Sequence, residues 1–261
     1  MGRARSAMSA TFVAGLALLA GCAHPGLERS GSFDPRSSSP AQRARIDAIR
    51  AQLGPVIVGQ PSAMALLLLE RDALFRPLSA KDRAFLDEIR AQPGGDPEVG
   101  IPSGIEWVRV EGQVAHTALG DHPIPLQLVT KPVKLAFGAL NQAMRKDLGR
   151  GLLIGSAYRS PAYQLYLIVD YLPRFDYSLE KTLAHVSLPG GSDHNRVDRL
   201  GIDFVSESGV DLEYSHAAEF MALPEYRWLL ANAGRFGFEA EPVPGGGLPT
   251  SPWHWRHVGI R

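Results

Sequence analysis

The chain has 261 residues, of which 45% are hydrophobic and 21% charged, so it is long enough to bury a sizeable core. Its 27 basic and 27 acidic side chains cancel to a formal net charge of zero. This balance argues against a nucleic-acid binder, because such proteins usually present a basic face. The single cysteine excludes an intrachain disulfide framework.

The N-terminus has the features of an export signal. Two arginines precede an apolar run over residues 11–20, which is too short to cross a bilayer. The run ends Leu-Ala-Gly-Cys at Cys22, which resembles the lipobox of bacterial lipoproteins. That resemblance implies a signal peptide over residues 1–22, acylation of Cys22 and a lipid-anchored protein that faces the periplasm. Ala23 provides no inner-membrane retention signal, so the outer membrane is expected. The alternative is an ordinary secretory signal in which the cysteine is incidental.

Residues 23–40 are rich in serine, proline and glycine, which predicts a flexible tether. Apolar residues at helical spacing then predict helices over 41–53 and 62–75. A third helix is predicted to follow Ser79, which is a suitable N-cap residue. We therefore assign residues 41–95 to a small N-terminal helical region, which acts either as a spacer or as a partner-binding module.

Residues 96–261 show mixed patterns. Alternating side chains predict a strand that begins at Trp107, and helical spacing predicts a helix over 131–148. A short apolar run at 151–156 predicts a buried strand, and a helix pair is predicted over 217–221 and 224–233. These patterns favour an α+β fold, with an antiparallel sheet that carries the functional site and helices on its outer faces.

Two histidines and a carboxylate stand out in this part of the chain. His194 follows Pro-Gly-Gly-Ser-Asp, Asp203 lies in Leu-Gly-Ile-Asp-Phe, and His254 lies in Trp-His-Trp-Arg. An odd spacing would point His194 and Asp203 to opposite faces of one strand, so we expect His194 in a loop and Asp203 on a strand. A carboxylate flanked by apolar residues is costly to bury unless it binds a metal or a cation. Two imidazoles and one carboxylate leave the fourth position of tetrahedral zinc open, which is the catalytic pattern.

These motifs resemble those of the VanY-like zinc D-alanyl-D-alanine carboxypeptidases, peptidase family M15. Their pattern is Ser-x-His, then Gly-x-Ala-x-Asp, then Glu-x-Trp-His. Here Ser192 and His194 match the first part, Asp203 the second, and His254 with the preceding tryptophan the third. The resemblance extends from Val129 to the end of the chain. It implies Zn²⁺ bound by the two histidines and the aspartate, and peptidoglycan stem peptides as substrates. This chain has two more residues between the first histidine and the aspartate than the family usually has.

The resemblance also implies a substrate site. Arg159 lies in the segment Ala-Tyr-Arg-Ser, which in the family lies beside the metal. A planar guanidinium can bind the free C-terminal carboxylate of a peptide through two hydrogen bonds. The alternative for Arg159 is a structural ion pair at the start of a helix. Ser192 is expected to donate a further hydrogen bond to the same carboxylate, and Gln164 to lie in the same substrate site.

One residue departs from the family at a critical position. The catalytic glutamate of the family precedes the last histidine by three residues, and this chain has Ser251 there. A serine hydroxyl without a partner does not ionise near neutral pH, so it cannot simply replace a carboxylate as general base. Asp193, beside His194, is the nearest candidate for a substitute base, although adjacent side chains usually diverge. Glu213, Glu239 and Glu241 are further candidates, and a surface position is the default for each of them.

Two functions of different classes follow. The first is a membrane-tethered zinc carboxypeptidase that removes a C-terminal D-amino acid from peptidoglycan stem peptides, at a D,D or an L,D bond. The second is a catalytically disabled protein of the same fold that binds cell-wall peptide. The metal motifs and Arg159 suit both functions, whereas Ser251 argues against the first. We expect the enzyme.

Overall fold

The computed structural model describes residues 36–210, 217–241 and 251–259. The predicted signal peptide with Cys22, most of the predicted tether, and Glu213 lie outside these ranges. The helices of the described chain are α1 (Pro40–Val58), α2 (Ala63–Leu67), α3 (Arg71–Phe75), α4 (Ala80–Arg90), α5 (Lys131–Leu148), α6 (Pro161–Tyr171), α7 (Leu179–Leu183), α8 (Ala217–Ala222) and α9 (Pro224–Asn232). The strands are β1 (Trp107–Val110), β2 (Val114–Thr117), β3 (Gly120–Pro123), β4 (Gln127–Thr130), β5 (Leu152–Ser156), β6 (Leu200–Ser206), β7 (Phe238–Ala240) and β8 (His254–His257).

The first helix begins one residue before its predicted start. The Ser39 hydroxyl accepts a hydrogen bond from the backbone N–H of Gln42, whose side chain accepts one from the Ser39 N–H. This reciprocal capping box, with Pro40 in the first turn, explains why α1 starts where it does. The predicted start of α4 is confirmed, because the Ser79 hydroxyl accepts a hydrogen bond from the Asp82 N–H. In the described part of the chain, no helix has both the length and the apolar character needed to span a membrane.

The single helix predicted over 62–75 is wrong. The structure divides this segment into α2 and α3, with Glu70 as the N-cap of the second helix. The physical reason lies in the core. Leu67 belongs to the cluster beneath the four-stranded sheet, whereas Leu69 and Leu74 belong to a second cluster among the helices. On one straight helix Leu67 and Leu74, seven residues apart, would share a face, so the chain turns between them to bring the two side chains into different clusters.

The N-terminal helices do not have a core of their own. Ile46, Ile49 and Leu53 of α1 are fully buried in one cluster that also contains residues of α3 and α4. Leu165 and Ile168 of α6 belong to the same cluster. Burying such side chains contributes roughly 1.5–3 kcal/mol each, so the N-terminal helices and α6 stabilise one another. This matters for function because α6 follows the segment that contains Arg159.

The site-bearing sheet has four antiparallel strands in the order β5-β6-β8-β7. The inner face of this sheet packs on α5 and α9, with Phe204, Trp255 and Phe137 in the shared core. Strand β1 pairs with β4, and β2 with β3, in two small antiparallel ladders. The predicted α+β architecture, with an antiparallel sheet covered by helices, is confirmed. Strands β6 and β8 are central, and each contributes a site residue.

Candidate metal centre and substrate cleft

Strands β6 and β8 bring two of the three predicted metal ligands together. Their register places Asp203 directly opposite His254, so the two side chains lie on the same face of the sheet. The Asp203 Oδ1 atom lies 2.8 Å from His254 Nδ1. His194 lies in a single 3₁₀ turn, Asp193–Asn195, and its Nε2 atom lies 3.2 Å from Asp203 Oδ2. One donor atom from each of the three residues fits within 4.8 Å of the others.

A backbone hydrogen bond orients the His194 ring. Its Nδ1 atom lies 2.7 Å from the carbonyl oxygen of Ala157, an acceptor, so Nδ1 carries the proton. The lone pair of Nε2 therefore points toward Asp203 and the site. Burial, together with the positive charge of Arg159, lowers the pKa of His194. The imidazole is thus held neutral, which is the form that binds a metal.

His254 and Asp203 are held in their charged forms when no metal is bound. Burial alone would lower the pKa of His254, but the nearby carboxylates of Asp193 and Asp203 outweigh it and raise the pKa to about 9. Burial likewise opposes ionisation of Asp203, but the two histidines hold its pKa well below the usual range. A divalent cation would supply the positive charge that the protonated His254 supplies in its absence.

A second carboxylate, Asp193, which sequence analysis named only as a candidate base, also lies beside the candidate ligands. Asp193 is buried, and its Oδ2 atom lies 3.9 Å from His254 Nε2, the ring nitrogen that faces away from Asp203. Two guanidinium groups flank it, with Arg199 Nε at 2.8 Å and Arg256 Nη1 at 3.7 Å. Burial acts to raise the pKa of Asp193, but His254 and these two arginines lower it overall. A metal-binding histidine commonly has such a partner on its second nitrogen.

The only sequence signal for this arrangement was the alternation along β8. His254 and Arg256 are two residues apart on one strand, so they share a face, and both reach Asp193. Arg199 lies in the segment where the chain is longer than the family pattern, and nothing in the local sequence connects it to Asp193. Its position depends on tertiary structure.

A cleft with a volume of about 560 Å³ opens in front of the three candidate ligands. Arg159 lies on its wall, with its backbone N–H donating to the His194 carbonyl oxygen at 2.9 Å. Asn195 Nδ2 donates to the Arg159 carbonyl oxygen at 2.7 Å, which ties the two segments together. Among the described residues, the buried Nε of Arg159 has no hydrogen-bond partner, and no carboxylate forms an ion pair with its guanidinium. The alternative of a structural ion pair at the helix start therefore finds no support in the described chain.

The other two predicted substrate-site residues also line the cleft. The Ser192 hydroxyl oxygen accepts a hydrogen bond from the His194 N–H at 3.3 Å, which leaves its own proton available. Gln164 donates from Nε2 to the Ser187 carbonyl oxygen at 2.8 Å, while its buried Oε1 atom has no partner in the described chain. Sequence reasoning missed that Leu66 and Leu67 of α2 line the same cleft, so the N-terminal helices contribute to its wall.

Ser251 lies at the cleft beside His254, whose backbone N–H donates to the Ser251 carbonyl oxygen at 2.9 Å. Among the substitute carboxylates named from the sequence, Asp193 and Glu241 also line the cleft, whereas Glu239 does not. The structure thus brings all predicted ligand and substrate residues to one place. Their chemical roles remain predictions.

Three side chains that could hold a metal ion line one cleft with an arginine, an arrangement typical of metal-dependent hydrolases. Comparison with protein families identifies the family to which the chain belongs. The model of the VanY family, D-alanyl-D-alanine carboxypeptidase, matches residues 126–260. The chain belongs to this family of peptidoglycan carboxypeptidases.

Solved structures with a similar fold were also found. VanYB in complex with D-alanine-D-alanine is 23% identical, with a TM-score of 0.42 over 62% of this chain and 82% of that chain. A mutant of the vancomycin-resistance D,D-pentapeptidase VanY in complex with Zn(II) is 24% identical, with a TM-score of 0.40 over 62% and 84%. The LD-carboxypeptidase LdcB is 22% identical, with a TM-score of 0.44 over 67% and 78%. A search of curated proteins found no match.

Proposed function

We propose that this protein is a zinc-dependent carboxypeptidase that removes a C-terminal D-amino acid from peptidoglycan stem peptides. One observation carries the proposal: a three-residue metal-ligand cluster and an arginine without a carboxylate partner in the described chain face the same cleft. An exopeptidase needs both features in one cleft, because the scissile bond lies one residue from the terminal carboxylate. Family membership supports the same reaction class.

The donor set suits zinc. Two imidazole nitrogens and one carboxylate oxygen are ligands that Zn²⁺ accepts, and both histidines have a partner on the second ring nitrogen. When bound, zinc would supply Lewis acidity for the attacking water and the scissile carbonyl. The chain itself keeps His194 neutral and Asp203 ionised, so two of the three donors are ready to bind.

Arg159 has the role of holding the substrate. Its guanidinium binds the terminal carboxylate through two parallel hydrogen bonds, which fixes both the position and the orientation of the last residue. Ser192 donates its free hydroxyl proton to the same carboxylate, and the unpaired Oε1 of Gln164 accepts from a peptide N–H. These contacts select a free C-terminus over an internal peptide segment.

Ser251 favours a second candidate function. If no other carboxylate serves as base, the same cleft would bind the peptide terminus without hydrolysing it. The protein would then be a cell-wall peptide receptor built on a peptidase fold. A Ser251→Glu variant distinguishes the two, since it restores the carboxylate of the family pattern.

The place of action is the bacterial cell envelope. The lipobox-like sequence at Cys22 supports acylation and anchoring in the outer membrane, facing the periplasm. Replacing Cys22 with serine would move the protein from the membrane fraction to the soluble periplasmic fraction and would abolish incorporation of labelled palmitate. Equal membrane association of both forms would contradict the lipid anchor.

The experiment that tests the function is mass spectrometry of stem peptides after incubation with zinc-loaded protein. A pentapeptide offers a terminal D,D bond, and a tetrapeptide offers a terminal L,D bond. We expect the wild type to shorten one of them by a single residue and His254→Ala to leave both intact. If the wild type cleaves neither peptide while Ser251→Glu does, the receptor function replaces the enzyme.

A further inference from the structure

The proposed hydrolase lacks its general base at the family position, because Ser251 stands where a glutamate is expected. A base must lie within hydrogen-bond reach of the attacking water, directly or through one further water. Three carboxylates in the described chain are candidates for this base. Asp193 lies on the 3₁₀ turn, Glu239 on β7 and Glu241 just after β7. The inference that follows rests on the proposed function.

The pairing of β7 with β8 places one of these carboxylates beside the metal ligands. In this antiparallel ladder Phe238 pairs with His257, and Ala240 pairs with Trp255. Extended by one residue, the register sets Glu241 opposite His254. Residues opposite each other in an antiparallel pair point to the same face, with Cβ atoms about 4.5–5.5 Å apart.

That shared face is the one that carries the site. Trp255 and Phe238 are buried in the core on the other side of the sheet. His254 and Arg256 both approach Asp193, on the cleft side. Glu241 lines the cleft together with the three candidate ligands.

The other carboxylates are unsuited to the task. Asp193 is buried, and its carboxylate already forms ion pairs with Arg199 at 2.8 Å and Arg256 at 3.7 Å, so it is poorly placed to take a proton from a water in the cleft. Glu239 stands opposite Arg256, two pairs along the ladder from His254, and does not line the cleft. In contrast, Glu241 is exposed to the cleft, and no hydrogen bond or ion pair fixes it to another side chain of the described chain.

We propose that Glu241 is the general base and acid that replaces the missing glutamate. Its carboxylate accepts a proton from the attacking water as the water oxygen bonds to the scissile carbonyl carbon. The carbon–nitrogen bond then breaks, and Glu241 returns the proton to the departing amine nitrogen. One water is consumed, the shortened peptide gains a carboxylate, the D-amino acid leaves with its free amine, and Glu241 is again ionised.

The test compares five forms of the full-length, zinc-loaded protein: wild type, Glu241→Gln, Glu239→Gln, Ser251→Glu and Glu241→Gln/Ser251→Glu. The readouts are the rate of terminal-residue release, zinc affinity by competition with a chromophoric chelator, and calorimetric binding of the uncleaved peptide. Glu241→Gln should lower kcat by about 10²–10⁴-fold, with zinc and peptide affinities changed by less than about twofold. The matched control Glu239→Gln, two residues earlier on the same face, should retain wild-type kcat. The double variant should regain activity, because the carboxylate returns at position 251.

The outcomes separate the two proposals. If the wild type cleaves the peptide and Glu241→Gln has the same kcat, the proposed role of Glu241 is wrong, whereas the carboxypeptidase function stands. A wild type that does not cleave, with an active Ser251→Glu single variant, shows that Glu241 does not serve as base and favours the receptor function. Cleavage by none of the forms overturns the carboxypeptidase, and the role of Glu241 with it.

Discussion

Asp203 and His254 are direct partners across the β6–β8 ladder, with Oδ1 and Nδ1 2.8 Å apart. The aspartate also lies 3.2 Å from His194, so it links both histidines of the candidate metal centre. Because the ladder fixes two donors on rigid, buried strands, only the turn at His194 has to be positioned separately. Such a site is largely formed before the metal arrives, which favours tight binding.

Asp203→Asn is therefore expected to lower zinc affinity by more than about 100-fold, because loss of an outer partner alone costs 10–100-fold. The amide keeps the volume of the side chain and can still hydrogen-bond His254, so the fold should survive. Chelator competition measures the affinity, and circular dichroism checks the fold. Asp198→Asn, on an exposed carboxylate that pairs with Arg196, is the matched control and should bind zinc as the wild type does. Equal affinity of the two variants would contradict the ligand role of Asp203.

Zinc affinity should depend on pH through His254. The pKa of this imidazole is raised to about 9 in the metal-free protein, so at neutral pH zinc must displace a proton from it. The affinity should consequently rise about tenfold per pH unit up to about pH 9 and then level off, since His194 is already neutral. Chelator competition at a series of pH values measures the slope. An affinity that does not change between pH 7 and pH 9 would show that no proton is displaced.

Arg159→Lys should impair substrate binding while preserving charge. Lysine cannot form the two parallel hydrogen bonds of a guanidinium, so kcat/KM is expected to fall about 10–100-fold, mainly through a higher KM. Steady-state kinetics on the stem peptide measure kcat and KM separately. Arg235→Lys is the control, because Arg235 lies on the surface, where it donates a hydrogen bond to Asn232 and lies over the ring of Phe236, and it does not line the cleft. An unchanged KM in Arg159→Lys would show that another residue binds the terminal carboxylate of the substrate.

The loop that precedes His194 packs tightly against the end of the N-terminal helical region. A Cβ at Gly191 would overlap the carbonyl oxygen of Gly94, and the Asp96 N–H donates to the Pro189 carbonyl oxygen at 2.9 Å. Gly191→Ala should therefore destabilise the protein by about 1–3 kcal/mol, seen as a lower Tm. Gly138→Ala, where a methyl group meets nothing within 4 Å in α5, should instead keep or raise the Tm. A Gly191→Ala protein as stable as the wild type would show that this contact is loose.

The candidate metal ligands could be predicted from the sequence because each lies in a short, recognisable motif. Asp203 and His254 each lie in a short motif with buried neighbours, and alternation along a strand is enough to decide which side chains share a face. The start of α4 could also be predicted from the sequence, since an N-cap side chain bonds within the first turn of its own helix.

The features that sequence analysis missed depend on long-range contacts. The break between α2 and α3 brings Leu67 and Leu74, which would share a face of one helix, into different clusters, and no local signal shows this. In the same way, Arg199 reaches Asp193 only after the chain has folded. The approach of Glu241 to His254 follows from the register of β7 on β8, and the segment that joins these strands has no pattern that predicts it.

The most direct test of the account is the release of a terminal D-amino acid from two forms of one stem peptide. One form has a free C-terminal carboxylate and the other a C-terminal amide, and each is incubated with the zinc-loaded wild-type protein. If the metal centre and Arg159 act together, the free acid loses one residue, and the amide is cleaved at least about 10-fold more slowly because it lacks the charge that Arg159 binds. Equal cleavage of both forms, or cleavage of neither, would contradict the assignment of this cleft to a carboxypeptidase.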